Sequence, residues 1–275
     1  MKEVLVFEPG FGTRLIKEGK ASVQVLVDAS DPNMANLASN YTRALIMEYA
    51  MQLNRSGIQP VMIESRVSML FNKEMKSAYM FVPGTVAVIL MLISAMMTSI
   101  SITREKEMGT MEVLLVSPLK PLHIILGKVA PYVVLAFLIS VVIITMGHYI
   151  FLVPVRGSLW LLFGECTLFL LLALSLGVFI STVARDQQVA MFISMVALML
   201  PSILLSGYIF PIEYLPGWLQ AISLFMPPRW FIVIIKSIMI KGSSLQHVWH
   251  ETLILAAMAI VFIGMSARKF KVRLG

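Results

Sequence analysis

Charge is what this sequence has least of. Only 13% of its 275 residues are charged, against about 25% in a soluble domain. A water-soluble globule of this size would not cover its surface with so few. Cysteine is almost absent too: the single Cys166 excludes an intrachain disulfide framework and a cysteine-cluster metal site. The Gly-x-x-x-x-Gly-Lys-Ser/Thr pattern is missing, so the chain does not carry a P-loop for ATP. Its first nineteen residues, MKEVLVFEPGFGTRLIKEG, hold no apolar run of signal-peptide length and no small-residue cleavage site. What is present is apolar: 58% hydrophobic residues and a mean hydropathy of +0.86. That combination points to an integral membrane protein.

The composition averages two regions. Residues 1–77 hold 17 of the charged residues and have the character of a soluble fragment. Val23, Val25 and Val27 alternate with Ser22, Gln24 and Leu26, which predicts a half-buried strand over 21–27. Asp31 suits an N-cap with Pro32 at the first helical position. Met34, Leu37, Tyr41, Leu45 and Tyr49 recur at helical spacing and predict one apolar face on a helix running to about Arg55, stopped by Gly57. Residues 60–67 suit a second strand. The expected unit is a small, partial α/β domain.

From residue 78 the texture changes. Residues 78–102, 129–153 and 189–210 carry no Asp, Glu, Lys or Arg; 159–183 carries Glu165 alone and 248–267 Glu251 alone. A membrane helix needs about 20 apolar residues, so all five runs qualify, and 78–275 reads as a mainly α-helical transmembrane domain. Nine basic residues (Arg104, Lys106, Lys120, Lys128, Arg185, Arg268, Lys269, Lys271 and Arg273) fall on one side of these spans. Four (Arg156, Arg229, Lys236 and Lys241) fall on the other. The positive-inside rule makes the first set cytoplasmic, with residues 1–77 outside and the C-terminus inside. The net charge of +7 then reads as topology, and no nucleic-acid partner is expected.

The stretch 211–247 is mostly apolar but broken. Trp218–Phe225 and Trp230–Ile240 are too short to span, and they begin beside Pro216–Gly217 and Pro227–Pro228. They are expected to be half-helices that dip into the outer leaflet or lie on it; an amphipathic surface loop is the alternative.

The densest polar constellation is 103–128, where Arg104, Glu105, Lys106, Glu107 and Glu112 surround Gly109 and Thr110. Gly109 allows a turn. Met111, Leu114 and Leu115 then share the face of a short helix that Pro118 stops. Such a segment can dock in a partner's groove, or its charges set topology and meet water. Inside the spans, Glu165 is a functional candidate because burying a carboxylate is expensive; His148 lies at similar depth, so a Glu165–His148 contact for a proton or cationic-substrate step is one reading, and a structural hydrogen bond or contact with the outer headgroups is the favoured one. Ser94, Ala95, Thr98 and Ser99 give a small face for close helix approach or a polar pathway lining. Pro201 is expected to kink its helix. His247 and His250 do not match a zinc-protease spacing, and no metal site is expected.

The string REKEMGTMEVLLVSPLKPLHIILGK (104–128) resembles the cytoplasmic segment of ABC-2-type transporter permeases, in the multidrug-efflux-like bacterial branch. SVQVLVDASDPN (22–33), FVPG (81–84), STVARDQQVAM (181–191) and LPSILLSGYIFPIEYLPGWLQ (200–220) resemble further landmarks of that family in the same order. The resemblance implies a permease subunit of an ATP-driven exporter in the bacterial inner membrane, carrying hydrophobic drug-like or lipid-like molecules. It implies a dimer with a second copy or paralogue, contact with membrane lipid, a separate cytoplasmic ATPase that binds ATP and Mg, and a possible periplasmic adaptor. No cofactor is expected on this chain. The resemblance makes Glu105 to Pro118, including Ser117, the element that touches the ATPase. It makes Pro211, Glu213, Pro216, Gly217, Trp218, Pro227, Pro228 and Arg229 part of an outer gate. Ser94, Thr98, His148 and Glu165 are candidate pathway positions. The family's first membrane helix and the amphipathic helix before it have no counterpart in residues 1–20. The five spans are therefore expected to be the family's second to sixth, in a fragment, a chain with a downstream start, or one completed by another polypeptide. A truncated or non-transporting scaffold, and a membrane-embedded enzyme, are the alternatives.

Overall fold

The computed structural model describes residues 3–55, 61–110 and 121–272. The chain divides into two compact units, 1–80 and 81–275.

The first unit is built on the strand β2 (Lys20–Asp28), flanked by β1 (Glu3–Phe7) and β3 (Met62–Leu70). β1 runs antiparallel to β2, and β3 parallel to it. Ala21, Val23, Val25 and Val27 are buried along one face of β2, as alternation dictates for a strand with one covered side. The helix α1 (Phe11–Glu18) follows β1. The sequence reading had neither, because β1 is short and almost wholly exposed and leaves no alternation to read. Glu8 secures the turn between them: its carboxylate accepts from the Ser22 amide at 2.7 Å, the Ser22 hydroxyl at 2.9 Å and Arg14 at 3.1 Å. The Ser22 amide first, then its hydroxyl and Arg14, hold the Glu8 carboxyl below the usual range.

The helix α2 (Pro32–Arg55) crosses from β2 to β3. Asp31 Oδ1 caps it by accepting from the amides of Asn33 and Met34 at 3.1 and 3.2 Å. Its packed face is not the one expected. Leu37, Tyr41, Leu45 and Tyr49 are exposed, whereas Ala35 and Ser39 are buried, with Ala38 and Ile46 against the same valine cluster. Small side chains let the helix lie close to the sheet, and the bulky stripe is turned away.

The second unit contains α3 (Ala78–Glu107), α4 (Pro121–Tyr149), α5 (Leu159–Val183), α6 (Gln187–Leu205), α7 (Gly217–Ser223), α8 (Pro227–Lys241) and α9 (Leu245–Val272). Among the described residues, five of these, α3 to α6 and α9, are long and apolar enough to cross a bilayer; α7 and α8 form a pair bent by 80°. Side-chain contacts give the helix directions. Thr85–Tyr208, Met91–Ser202, Ser99–Ser194 and Glu107–Gln187 pair rising with falling numbers, so α6 runs antiparallel to α3. Glu165–Thr252 and Ser175–Ser266 pair rising with rising numbers, so α9 runs parallel to α5. The most apolar stretch of α3 is 61% buried and that of α5 72%, against 17–22% for α4, α6 and α9. α3 and α5 are therefore the inner helices.

Several bounds differ from the sequence reading. α4 starts at Pro121 rather than 129, and carries Pro131 inside it. It ends at Tyr149 rather than 153: Leu152 adopts a φ of 55°, and the Val153 amide turns back to the Gly147 carbonyl. α6 ends at Leu205, not 210, shortly before Gly207 takes a left-handed φ of 76°. Pro201 does not act alone on α6. Ser194–Met199 form a π turn just ahead of it, which widens the helix around residue 197, where the proline ring would meet a carbonyl.

α3 and α5 meet at Gly177. A Cβ there would stand 2.5 Å from the Ala95 carbonyl oxygen and 2.8 Å from Thr98 Cβ. Gly164 on the same helix has nothing within 4 Å. Gly177→Ala is expected to lower the thermal midpoint of the purified protein, by overpacking of about 1–3 kcal/mol. Gly164→Ala is expected to leave it unchanged, as fluorescence-detected thermal unfolding in detergent would measure.

Candidate functional site

The charged end of α3 is where four helices are tied together. Glu105, Lys106 and Glu107 are consecutive, so their side chains leave the helix at about 100° intervals and reach different neighbours. Glu105 Oε1 pairs with Lys128 of α4 at 2.5 Å, and its Oε2 accepts from the Thr110 hydroxyl at 2.5 Å. Lys106 Nζ donates to the Ser181 carbonyl, one of the last four of α5, which have no partner within their own helix. Glu107 Oε2 accepts from the Gln187 amide at 3.1 Å and the Gln187 side chain at 3.0 Å, at the first residue of α6. The base thus sits at a helix C-terminus and the acid at an N-terminus, each matching the local dipole. Asp186 completes the cap of α6 by accepting from the Val189 amide at 2.8 Å.

Immediately beyond this junction Gly109 adopts a φ of 70°, and its amide donates to the Lys106 carbonyl at 3.2 Å. The helix stops there and the chain turns, which glycine permits without a Cβ clash. Arg104 is exposed. Met111, Glu112, Leu114, Leu115, Ser117 and Pro118 lie outside the described residues. Glu105 and Glu107, which the sequence reading directed to a partner, each have a partner within the chain, and Glu107 is also exposed. Lys128, Ser181 and Gln187 were not singled out as their partners, because residues up to 80 apart in sequence leave no local signal.

Deeper in the bundle, Ser94 and Thr98 are buried, and their hydroxyls have no partner among the described residues. Ser99 bonds Ser194 of α6 at 3.0 Å. The small face thus packs on both α5 and α6. Glu165 does not meet His148. Its Oε1 is 2.7 Å from the Thr252 hydroxyl of α9, while His148 Nδ1 is 3.1 Å from the Val153 carbonyl. The turn after Tyr149 supplies that carbonyl. Thr252 carried no signal of its own among the apolar residues of α9.

At the opposite end from the charged junction, Pro211 precedes a single turn (Ile212–Tyr214) that carries Glu213, and Pro216 leads into α7 at Gly217 and the exposed Trp218. Pro227 and Pro228 open α8 and are both buried. Arg229 donates to the Ser223 hydroxyl and, at 3.3 Å, to the Gln220 carbonyl, with its guanidinium 5.2 Å from the Trp230 ring centre. The corner between α7 and α8 is closed by that arginine. α8 does not lie on a surface: Phe231, Ile234, Ile235 and Ile238 are buried, and Phe231 stacks on Phe169 of α5 at 4.1 Å. Arg156 straps its end by bonding the Met239 and Ile240 carbonyls at 2.9 and 3.2 Å. His247 bonds Ser244, and His250 meets the Trp230 ring edge-on. α8 is thus a buried helix beside α5, whereas α7 is largely exposed.

The profile of the ABC-2 family transporter proteins matches residues 2–268. The chain is 35% identical over 257 residues to the probable multidrug ABC transporter permease YbhS of Escherichia coli, covering 92% of this chain and 68% of that one. It is 33% identical over 245 residues to the probable multidrug permease YbhR of the same organism (89% and 66%). It is 28% identical over 275 residues to the inner membrane transport permease YhhJ (97% and 72%). With five candidate membrane helices, a charged junction at one end and a family match over almost its whole length, the chain belongs to the ABC-2 transporter family, as a multi-pass permease subunit of an ABC exporter.

Proposed function

We propose that this permease forms a translocation path for hydrophobic, drug-like or lipid-like molecules, and that a separate cytoplasmic ATPase, which binds ATP and Mg, drives it through the segment 105–118. The names of the relatives, two of them multidrug permeases, support the substrate class. A second copy or a paralogue completes the path, in a bacterial inner membrane. The basic end of the bundle faces the cytoplasm, and residues 1–77 lie outside. A periplasmic adaptor is compatible with that orientation.

The observation that carries this reading is the junction at the end of α3. A coupling segment is useful only if a push on it reaches more than one helix. The chain leaves α3 at Met108–Thr110, directly from the turn where Glu105, Lys106 and Glu107 bind α4, α5 and α6. In this reading Met111, Leu114 and Leu115 supply the apolar contact with the ATPase, and Glu112 its charge. Glu105 and Glu107 pass the displacement on instead of touching the partner. The ATPase changes the equilibrium only by binding one arrangement of this junction better than another.

Charge reversal at Glu105 is expected to lower transport per ATP hydrolysed by about fivefold or more, a typical coupling free energy. Lys128→Glu in the same chain is expected to restore much of it by re-forming the pair. Simultaneous transport and ATPase assays in proteoliposomes holding both subunits measure that ratio; unchanged coupling in Glu105→Lys, in a protein that still binds its ATPase, contradicts the role. Glu107→Ala removes the acceptor at the start of α6. It is expected to impair coupling while leaving co-purification of the ATPase intact, which separates transmission from docking.

A further inference from the structure

Glu165 is 4% exposed within α5. Its Oε1 lies 2.7 Å from Thr252 Oγ1, and its Oε2 is buried with no partner among the described residues. No Lys, Arg or His among those residues pairs with it. Thr252 Oγ1 also lies 2.9 Å from the Val248 carbonyl, one turn back on its own helix.

These distances pose a counting problem. A threonine hydroxyl has one hydrogen, and a backbone carbonyl only accepts. If the Glu165 carboxyl had no proton, that single hydrogen would serve either the carboxylate or the carbonyl. The other oxygen would then face a lone pair at hydrogen-bonding distance, in surroundings with little water to screen it. With a proton on Oε1 every contact is satisfied in turn: Glu165 donates to Thr252, and Thr252 donates to Val248. The unpartnered Oε2 becomes the carbonyl oxygen of a neutral acid, which is far cheaper to bury than a charged one.

We propose that Glu165 is a proton-carrying site between α5 and α9, closed by Thr252 and Val248. Its ligand is a proton, held while the two helices are in the arrangement described here. Among the described residues, no charged group on the elements around α5 pairs with Glu165. α3 carries no Asp, Glu, Lys, Arg or His over 78–103, and its charged residues sit at the far end. On α4, Lys128 binds Glu105 and His148 the Val153 carbonyl. α6 carries none over 187–205. On α8, Arg229 is held by Ser223 and Gln220, while Lys236 and Lys241 have partners of their own. On α9, His247 bonds Ser244, His250 lies against Trp230, and Glu251, beside Thr252, has a buried oxygen without a partner among the described residues. Cys166 is adjacent to Glu165 in the chain and buried. The site does not depend on the permease's ATPase partner: the proton is assigned to the resting chain. Its use in transport would rest on the exporter reading, through movement of α9 against α5.

Infrared spectroscopy of the purified chain in lipid nanodiscs at neutral pH tests the assignment without transport. The wild type is expected to show a protonated carboxylic-acid carbonyl band that shifts in deuterium oxide. Glu165→Gln is expected to abolish it. Thr252→Val is expected to move it to higher frequency, because the acid loses its acceptor. Absence of the band in the wild type overturns the proposal, however the variants fold. So does its persistence in a well-folded Glu165→Gln, or a Glu165→Gln difference spectrum that loses carboxylate stretches instead.

Discussion

Hydrocarbon offers nothing to a hydrogen-bond donor or acceptor, so a chain that crosses it must satisfy its own polar groups. The second unit follows from that constraint. Ser175, Ser181, Thr182 and Ser140 each donate to a carbonyl three residues back in their own helix. Ser99 and Ser194 bond across a helix pair, and Ser266 reaches the Ser175 carbonyl of a parallel neighbour. Charges are kept to the ends. Arg156 and Arg229 spend their donors on carbonyls and a hydroxyl around α8, and the charges at the end of α3 bind the termini of α5 and α6 and the side chain of Lys128. Glu165 stands apart from this pattern, as an acid inside a span, and for that reason its one hydroxyl partner matters.

The inner helices are tied to their neighbours along their whole length. α3 and α5 lie backbone to backbone at Gly177, so neither slides past the other without losing van der Waals contact. α6 follows α3 from Gln187 to Tyr208, and Gly84 sits so close to the Tyr208 ring that a Cβ there would overlap it. The outer helices α4 and α9 touch α5 but leave most of their own apolar surface uncovered. That surface is available to lipid and to a second subunit. The charged end of α3 touches both an inner helix, α5, and two outer ones, α4 and α6.

Much of this is legible in the amino-acid sequence. The five apolar runs, the Asp31 cap, the Gly109 turn and the broken region around Pro216 and Pro227 are local features, and each obeys a rule with a period or spacing that a sequence displays. Pairings across the bundle were not legible. Nothing in Glu165 or Thr252 announces that they meet: a structural hydrogen bond for the carboxyl was the favoured reading, but its partner on α9 left no mark in the sequence, and the other candidate, His148, bonds the Val153 carbonyl instead. The apolar stripe of α2 misled for a related reason. Periodicity reports which side chains share a face, not which face is covered, and here the smaller residues allowed the closer approach. β1 escaped because an exposed five-residue strand has no pattern to show.

The π turn in α6 has a mechanical meaning. Both ends of that helix are tied to the same neighbour: Gln187 to Glu107 at one end and Tyr208, just past Leu205, to Thr85 near the other. A rod fastened twice to one beam cannot travel along it. The freedom left to it is torsion, and torsion needs a length where the hydrogen-bond ladder is already loosened. Ser194–Met199 is that length. One flank meets Ser99 and the other leads into Pro201. Rotation of the Gln187 end can thus be absorbed before it reaches Tyr208, or passed through it, according to how the turn is wound.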